Sequence, residues 1–136
     1  MSKNESISDP VLGNILITHK MIQPKNNTLQ INKRVEAMFT FSGKFSFISL
    51  HGRPSARLVR FVTFIDCVLI LKVTRKEKCT SIHNLKDIMS TLQIVGFNQG
   101  DEVNIIAIGP ESDKAIYELI RFISNEFANS PFGEDS

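Results

Sequence analysis

The chain has 136 residues, of which 42% are hydrophobic, with ten phenylalanines and no tryptophan, so its length suits one domain with a modest core. Sixteen basic residues against fourteen acidic ones give a formal net charge of +2, far from the concentrated positive charge of a nucleic-acid-binding domain. No apolar run is long enough to cross a bilayer, and no cleavable leader is evident. We therefore expect a cytoplasmic protein that binds no nucleic acid and is not embedded in a membrane.

Residues 1–34 are predicted to form an extension outside the folded domain. This part of the chain is polar and is interrupted by Pro10, Gly13 and Pro24, with only short apolar pieces between them. Such a composition favours a segment that is partly disordered or loosely packed on the outside. A short strand is compatible with the pattern, but the sequence assigns no function to the extension.

Residues 35–128 are predicted to form the folded domain, and residues 129–136 a flexible tail. Runs rich in β-branched and aromatic residues predict strands at 35–41, 68–73, 79–82 and 103–108, while the register of a further run at 45–49 stays open. Apolar residues at helical spacing predict helices at 54–66, 85–95 and 113–127. This order predicts an α+β fold, an open-faced β-sandwich in which three helices cover one face of an antiparallel four-stranded sheet.

Several residue types that often carry chemistry are expected to be inert here. Cys67 and Cys79 fall at the starts of neighbouring strands of opposite direction, which predicts two reduced thiols that do not face each other. His19 and His83 stand alone, and we interpret both as surface or sheet residues. No metal-ligand cluster or nucleotide-binding glycine loop is evident, so we expect no metal, no cofactor and no autonomous enzyme.

His51 is the candidate functional residue because of the helix predicted to follow it. Pro54 suits the first turn of a helix, where its missing N–H has no partner to lose. His51 would then lie just ahead of unpaired backbone N–H groups and the positive end of the helix dipole, a site suited to phosphate. Arg53 adds a fixed charge, and a neutral imidazole is a nucleophile able to accept a phosphoryl group. Taken alone, the tetrapeptide at 51–54 is weak evidence for this chemistry, because a histidine beside arginine and proline in a turn is usually a surface residue without chemistry.

Three motifs in order make the region 35–127 resemble the HPr family, the histidine-containing phosphocarriers of the bacterial phosphoenolpyruvate-dependent sugar phosphotransferase system. Residues 50–56, LHGRPSA, resemble the family's active-site signature. Residues 84–89, NLKDIM, resemble its second signature at the start of the second helix, and residues 96–103, GFNQGDEV, resemble the turn that follows. The resemblance implies the HPr-like fold and phosphoryl transfer through phosphohistidine.

The resemblance also implies the partners and a role for each residue of the phosphate site. His51 would receive a phosphoryl group from enzyme I, which takes it from phosphoenolpyruvate, and would pass it to a sugar-specific enzyme IIA. Arg53 would hold the phosphate, with help from the backbone at Gly52 and Pro54. Gly52 replaces the family's usual alanine or threonine, which gives a more flexible loop.

A docking surface beside the histidine is implied in the same way. Ala56, Arg57, Ile88 and Met89 match the positions that contact partner proteins. For Ile88 and Met89, burial in the core is an equally good interpretation.

Asp87 occupies the position where many family members carry a serine that a regulatory kinase phosphorylates. An aspartate cannot be phosphorylated by that kinase, so this control should be absent. The carboxylate either imitates phosphoserine or simply caps the second helix.

An alternative to the working carrier is an HPr-like regulatory module. In that case the phosphorylation state of His51 would report metabolic status to a kinase or a transcription regulator, without driving sugar uptake. The sequence does not identify the sugar, the acceptor or the oligomeric state.

Overall fold

The computed structural model describes residues 2–10, 12–22, 32–41, 53–75, 79–87 and 100–128. These residues form six strands and two helices. In chain order they are β1 (Ser2–Asp9), β2 (Gly13–Ile22), β3 (Asn32–Thr40), α1 (Arg53–Thr63), β4 (Val68–Arg75), β5 (Cys79–Asn84), β6 (Glu102–Ile108) and α2 (Ser112–Ala128).

The strands form one antiparallel sheet in the order β1-β2-β3-β6-β4-β5. The predicted α+β class and antiparallel pairing are confirmed, but the predicted number of four strands is wrong. The four predicted strands correspond to β3, β6, β4 and β5, and an N-terminal hairpin adds two more beside β3. Of the three predicted helices, the described residues contain two; most of the helix predicted at 85–95 lies outside them.

The N-terminal hairpin corrects the expectation of a loosely packed extension. β2 pairs with β3 from Leu16↔Met38 to Ile22↔Asn32, and β1 pairs with β2 over its whole length. Leu12 and Ile17 are fully buried, as deeply as any residue in the core. Residues 2–9 and 13–22 therefore belong to the sheet. The predicted end of the domain at 128 and the predicted tail at 129–136 stay predictions.

One face of the sheet carries the core because apolar residues alternate along each inner strand. The register brings Ile17 beside Ala37, Ala37 beside Ile105, and Ile105 beside Leu71, all of them buried. α2 packs on this face against β3 and β6 and also contacts α1. Its buried stripe has the spacing of an amphipathic helix and comprises Ala115, Ile116, Leu119, Ile120 and Ile123.

The two cysteines lie at opposite ends of β4. Cys67 comes just before β4 and is a buried free thiol, and burial raises its pKa. Cys79 pairs with Arg75 at the other end of the strand. The prediction that the two do not face each other is confirmed.

Candidate phosphate site at the start of the first helix

The first helix begins where the proline predicted it to begin. α1 spans Arg53–Thr63, so Pro54 lies in its first turn, and the helix ends a few residues before the predicted Asp66. No acidic residue lies in this first turn, so no carboxylate of α1 neutralises the positive end of the helix dipole. The backbone at the start of α1 therefore has the polarity that an anion site requires.

Packing fixes the position of α1. Leu58 and Val62 are buried against the core, while Arg60 on the helix is exposed. The ring of Phe61 lies 5.3 Å from that of Phe122 on α2. Because these contacts hold the middle of the helix, its first turn is presented from a rigid element rather than from a loop.

The end of β3, from which the chain continues toward His51, is held by backbone hydrogen bonds to the residues just before β6. The Phe41 amide donates to the Asp101 carbonyl at 2.8 Å, and the Gly100 amide donates to the Phe41 carbonyl at 2.8 Å. The buried Asp101 carboxylate lies 3.4 Å from Nε of Arg75 on β4. Phe41, the last described residue before His51, is thus held by Gly100 and Asp101 just before β6. Asp101 in turn pairs with Arg75 on β4.

The predicted site residues fall into three groups. Arg53, Pro54, Ala56 and Arg57 form the first turns of α1, where the structure describes the backbone. Asp87 is exposed in a turn. His51, Gly52, Ile88 and Met89 lie outside the described residues, so their predicted roles stay predictions.

Asp87 is held beside the far end of α1. Its amide donates to the Asn84 carbonyl at 3.1 Å, and the Asn84 side chain accepts from the Lys86 amide at 3.0 Å. The ammonium group of Lys86 donates to the carbonyl of Ile65, two residues beyond the end of α1. An 11-residue helix is about 16 Å long. Asp87, the neighbour of Lys86, therefore lies past the C-terminal end of α1, which is the end farthest from Arg53.

A polar cluster that the sequence did not reveal joins the N-terminal hairpin to α2. His19 Nε2 lies 2.8 Å from Oε1 of Glu5 and 3.3 Å from the Tyr117 hydroxyl, which itself donates to Glu5. The hydrogen bonds from Tyr117 and His19 lower the pKa of Glu5, while burial and the bond to Glu5 raise the pKa of Tyr117 to about 12. The prediction that His19 stands alone is therefore wrong, because the pairing of β1 with β2 brings Glu5 beside it.

His83 fits the prediction of a sheet residue. It is buried on β5, and its Nε2 lies 3.1 Å from the Ser81 hydroxyl. Across the described ranges, no three His, Cys, Asp or Glu side chains are grouped in a way that would hold a metal ion. Neither of the two described helices has the length and apolar character needed to span a bilayer.

Comparison with known proteins identifies a family for the part of the chain that runs from just before α1 into α2. A family model described as "PTS HPr component phosphorylation site" matches residues 48–125, more than half of the chain. Among solved structures, the chain is similar to the crystal structure of HPr-C-His from Thermoanaerobacter tengcongensis. The TM-score is 0.48 at 25% identity, and the match covers 70% of this chain and 97% of that one. No curated protein matches the chain.

Proposed function

The chain belongs to the PTS HPr family, and on this premise we propose that it is a phosphocarrier that accepts a phosphoryl group on His51 and passes it to another protein. The observation that carries the proposal is the start of α1 at Arg53, two residues after His51 in the sequence and inside the matched region. An anion next to this helix start would meet free backbone N–H groups with no acidic residue of the first turn to oppose it.

The chemistry assigned to His51 is nucleophilic displacement at phosphorus. A ring nitrogen of neutral His51 attacks the phosphoryl group of phosphorylated enzyme I; a P–N bond forms on His51 as the bond to the donor breaks. Arg53 and the N–H groups at the start of α1 stabilise the negative charge of the transferred group. A second displacement then returns His51 to the neutral form and places the phosphoryl group on the acceptor, for which we propose a sugar-specific enzyme IIA in the cytoplasm.

The test is phosphorylation of the full chain by enzyme I and phosphoenolpyruvate, followed by intact-mass measurement under mildly alkaline conditions that preserve phosphohistidine. The wild type should gain one phosphate, and His51→Ala should gain none. A folded wild type that stays unlabelled while an authentic carrier is labelled in parallel would contradict the proposal. Label that reaches His51 but is never transferred onward would favour the regulatory module.

Arg53 and Arg60 offer a matched pair of variants on one helix. Arg53 lies at the start of α1, whereas Arg60 is exposed in its last turn. Removing a positioned donor from a reacting anion costs about 10²–10³ in rate, so Arg53→Ala should slow phosphate acceptance by about this factor. Arg60→Ala should leave the rate within about two-fold of wild type. Equal rates for the two variants would show that Arg53 does not stabilise the transferred phosphoryl group.

Asp87 is proposed to cap the predicted second helix rather than to imitate a phosphoserine. Its position past the far end of α1 supports this, because at physiological salt exposed charges are screened beyond about 8 Å. Asp87→Ser and Asp87→Ala should therefore accept phosphate from enzyme I at the wild-type rate. A changed rate in both variants would support imitation instead.

A further inference from the structure

The face of the sheet opposite the helices contains a groove that the proposed carrier chemistry does not use. In the described part of the chain, the core cluster and both helices lie on the other face. The groove has a volume of about 390 Å³, within the range of about 300–1,000 Å³ for small-molecule sites. It crosses the centre of the sheet, so rigid paired strands form its floor.

One half of the groove is apolar. Leu16 and Met38 are direct cross-strand partners, and their side chains are 43% and 42% exposed. Neither residue belongs to the core cluster. Together they provide an open surface suited to an aliphatic group.

The other half is polar and carries one charge of each sign. Asn104 lies next to Met38 on one side and next to Lys72 on the other. Glu102 lies two residues before Asn104 on β6, hence on the same face and about 7 Å away. Apart from the backbone pairing of their strands, the structure shows no ion pair or hydrogen bond from the side chain of Lys72 or Glu102 to any other described residue.

Asn104 supplies the strongest sign of a missing ligand. Its side-chain oxygen is buried and has no hydrogen-bond partner among the described residues. A buried acceptor without a partner costs about 1–3 kcal/mol, a cost that a bound donor would remove. Met38 and Lys72, which flank it, are both unbranched and flexible, so a ligand can reach the oxygen by displacing them.

We propose that this groove binds an α-amino acid with an aliphatic side chain. The ammonium group of the ligand would donate to Asn104 and Glu102, and its carboxylate would pair with Lys72. The aliphatic side chain would lie on Leu16 and Met38. This assignment matches each charged or polar end of the ligand to an opposite group in the groove, and it is independent of phosphate transfer at His51.

The experiment is a titration of the ¹⁵N-labelled full chain with L-leucine, followed through the amide shifts of β3, β4 and β6. Residues 38, 72 and 104 should shift saturably. L-leucinamide lacks the carboxylate, 4-methylpentanoate lacks the ammonium, and glycine lacks the side chain; each should bind at least ten-fold more weakly. Unchanged shifts with L-leucine, or equal binding of all four compounds, would overturn the proposal.

Two variants locate the site, and a third controls for charge. Lys72→Met and Glu102→Gln keep the approximate size of each side chain and should weaken L-leucine binding at least ten-fold. Lys20 is exposed on the same face in β2, outside the groove, so Lys20→Met should bind like the wild type. Equal affinity in all three variants would contradict the assignment. Shifts of the groove residues with protein concentration alone would show a second copy there and would also contradict it.

Discussion

At the scale of single residues, Gly109 shows how closely the backbone is packed at the end of β6. Its φ is +145°, and its amide donates to the Lys33 carbonyl at 2.9 Å. A methyl group at this position would lie 2.8 Å from Cα of Cys67 and 3.0 Å from the Asp66 carbonyl oxygen. Neither backbone atom can move away without disturbing the start of β4, so only glycine fits.

Gly100 provides the matched control, because it also has a positive φ, +92°, but an added methyl group would meet nothing within 4 Å. Gly100→Ala should therefore cost only backbone strain, about 1–3 kcal/mol. Gly109→Ala should lower the free energy of unfolding by more, because steric overlap adds to the strain. Urea denaturation of both variants measures the difference. An equal or smaller loss of unfolding free energy for Gly109→Ala would show that the backbone at the start of β4 shifts to accommodate the methyl group.

At the scale of elements, the N-terminal hairpin contributes buried residues to the hydrophobic core. Ile17 on β2 is fully buried, whereas its neighbour Leu16 is 43% exposed on the opposite face. Ile17→Ala should lower the free energy of unfolding by about 2–5 kcal/mol, since it leaves a cavity between the sheet and α2. Leu16→Ala should cost about 0.5 kcal/mol.

Thermal or urea unfolding of these two variants distinguishes an integral hairpin from an accessory one. A small effect of Ile17→Ala, similar to that of Leu16→Ala, would mean that the hairpin detaches without disturbing the rest of the fold.

The elements differ in how well the sequence predicts them, and burial explains the difference. β4, β6 and α2 carry continuous or periodic apolar residues because they are buried, so their patterns are clear. β1 is an edge strand with one apolar residue, Ile7, and only its hydrogen bonds to β2 make it a strand. Its composition was therefore indistinguishable from that of a loose segment.

The functional features also differ in how well the sequence predicts them: some follow from local sequence, and others depend on tertiary contacts. Pro54 marks the helix start through local chemistry, which a sequence contains. The contact between Glu5 and Tyr117 joins residues 112 positions apart, and it depends on sheet register and helix packing together. The groove likewise depends on the register of four strands, β2, β3, β6 and β4, so no local sequence pattern indicates it.

At the scale of the whole molecule, the Glu5, His19 and Tyr117 cluster connects the edge of the sheet to the helix layer. A second contact of this kind joins Ser124 on α2 to Asp9 on β1 at 3.1 Å. Because both contacts link β1 to α2, they close the side of the fold that the family match does not include.

This cluster should make stability depend on pH at alkaline values. The pKa of Tyr117 rises from 10.0 to about 12 on folding, so the folded chain keeps a proton that the unfolded chain loses. The stabilisation is complete below pH 10 and is lost as the pH rises toward 12. Tyr117→Phe should be less stable than the wild type at pH 8, and the difference should shrink by pH 11.

Urea denaturation of the two proteins at pH 8, 10 and 11 measures that difference directly, and comparing them removes the alkaline effects common to both. A difference that stays constant with pH would show that the Tyr117 hydroxyl is not coupled to Glu5. At acid pH, the lowered pKa of Glu5 makes its contribution fall away as the pH drops below 4.5.

The hairpin also determines which strand forms the exposed edge of the sheet on the side of β3. Without it, β3 would present an open edge rich in apolar residues, the kind of template on which aggregates grow. With it, the outermost strand on that side reads SKNESISD, a short polar segment bearing charges of both signs. An edge of this composition is a poor template for the addition of foreign strands, so β1 covers the more apolar β3 with a strand that other chains are less able to extend.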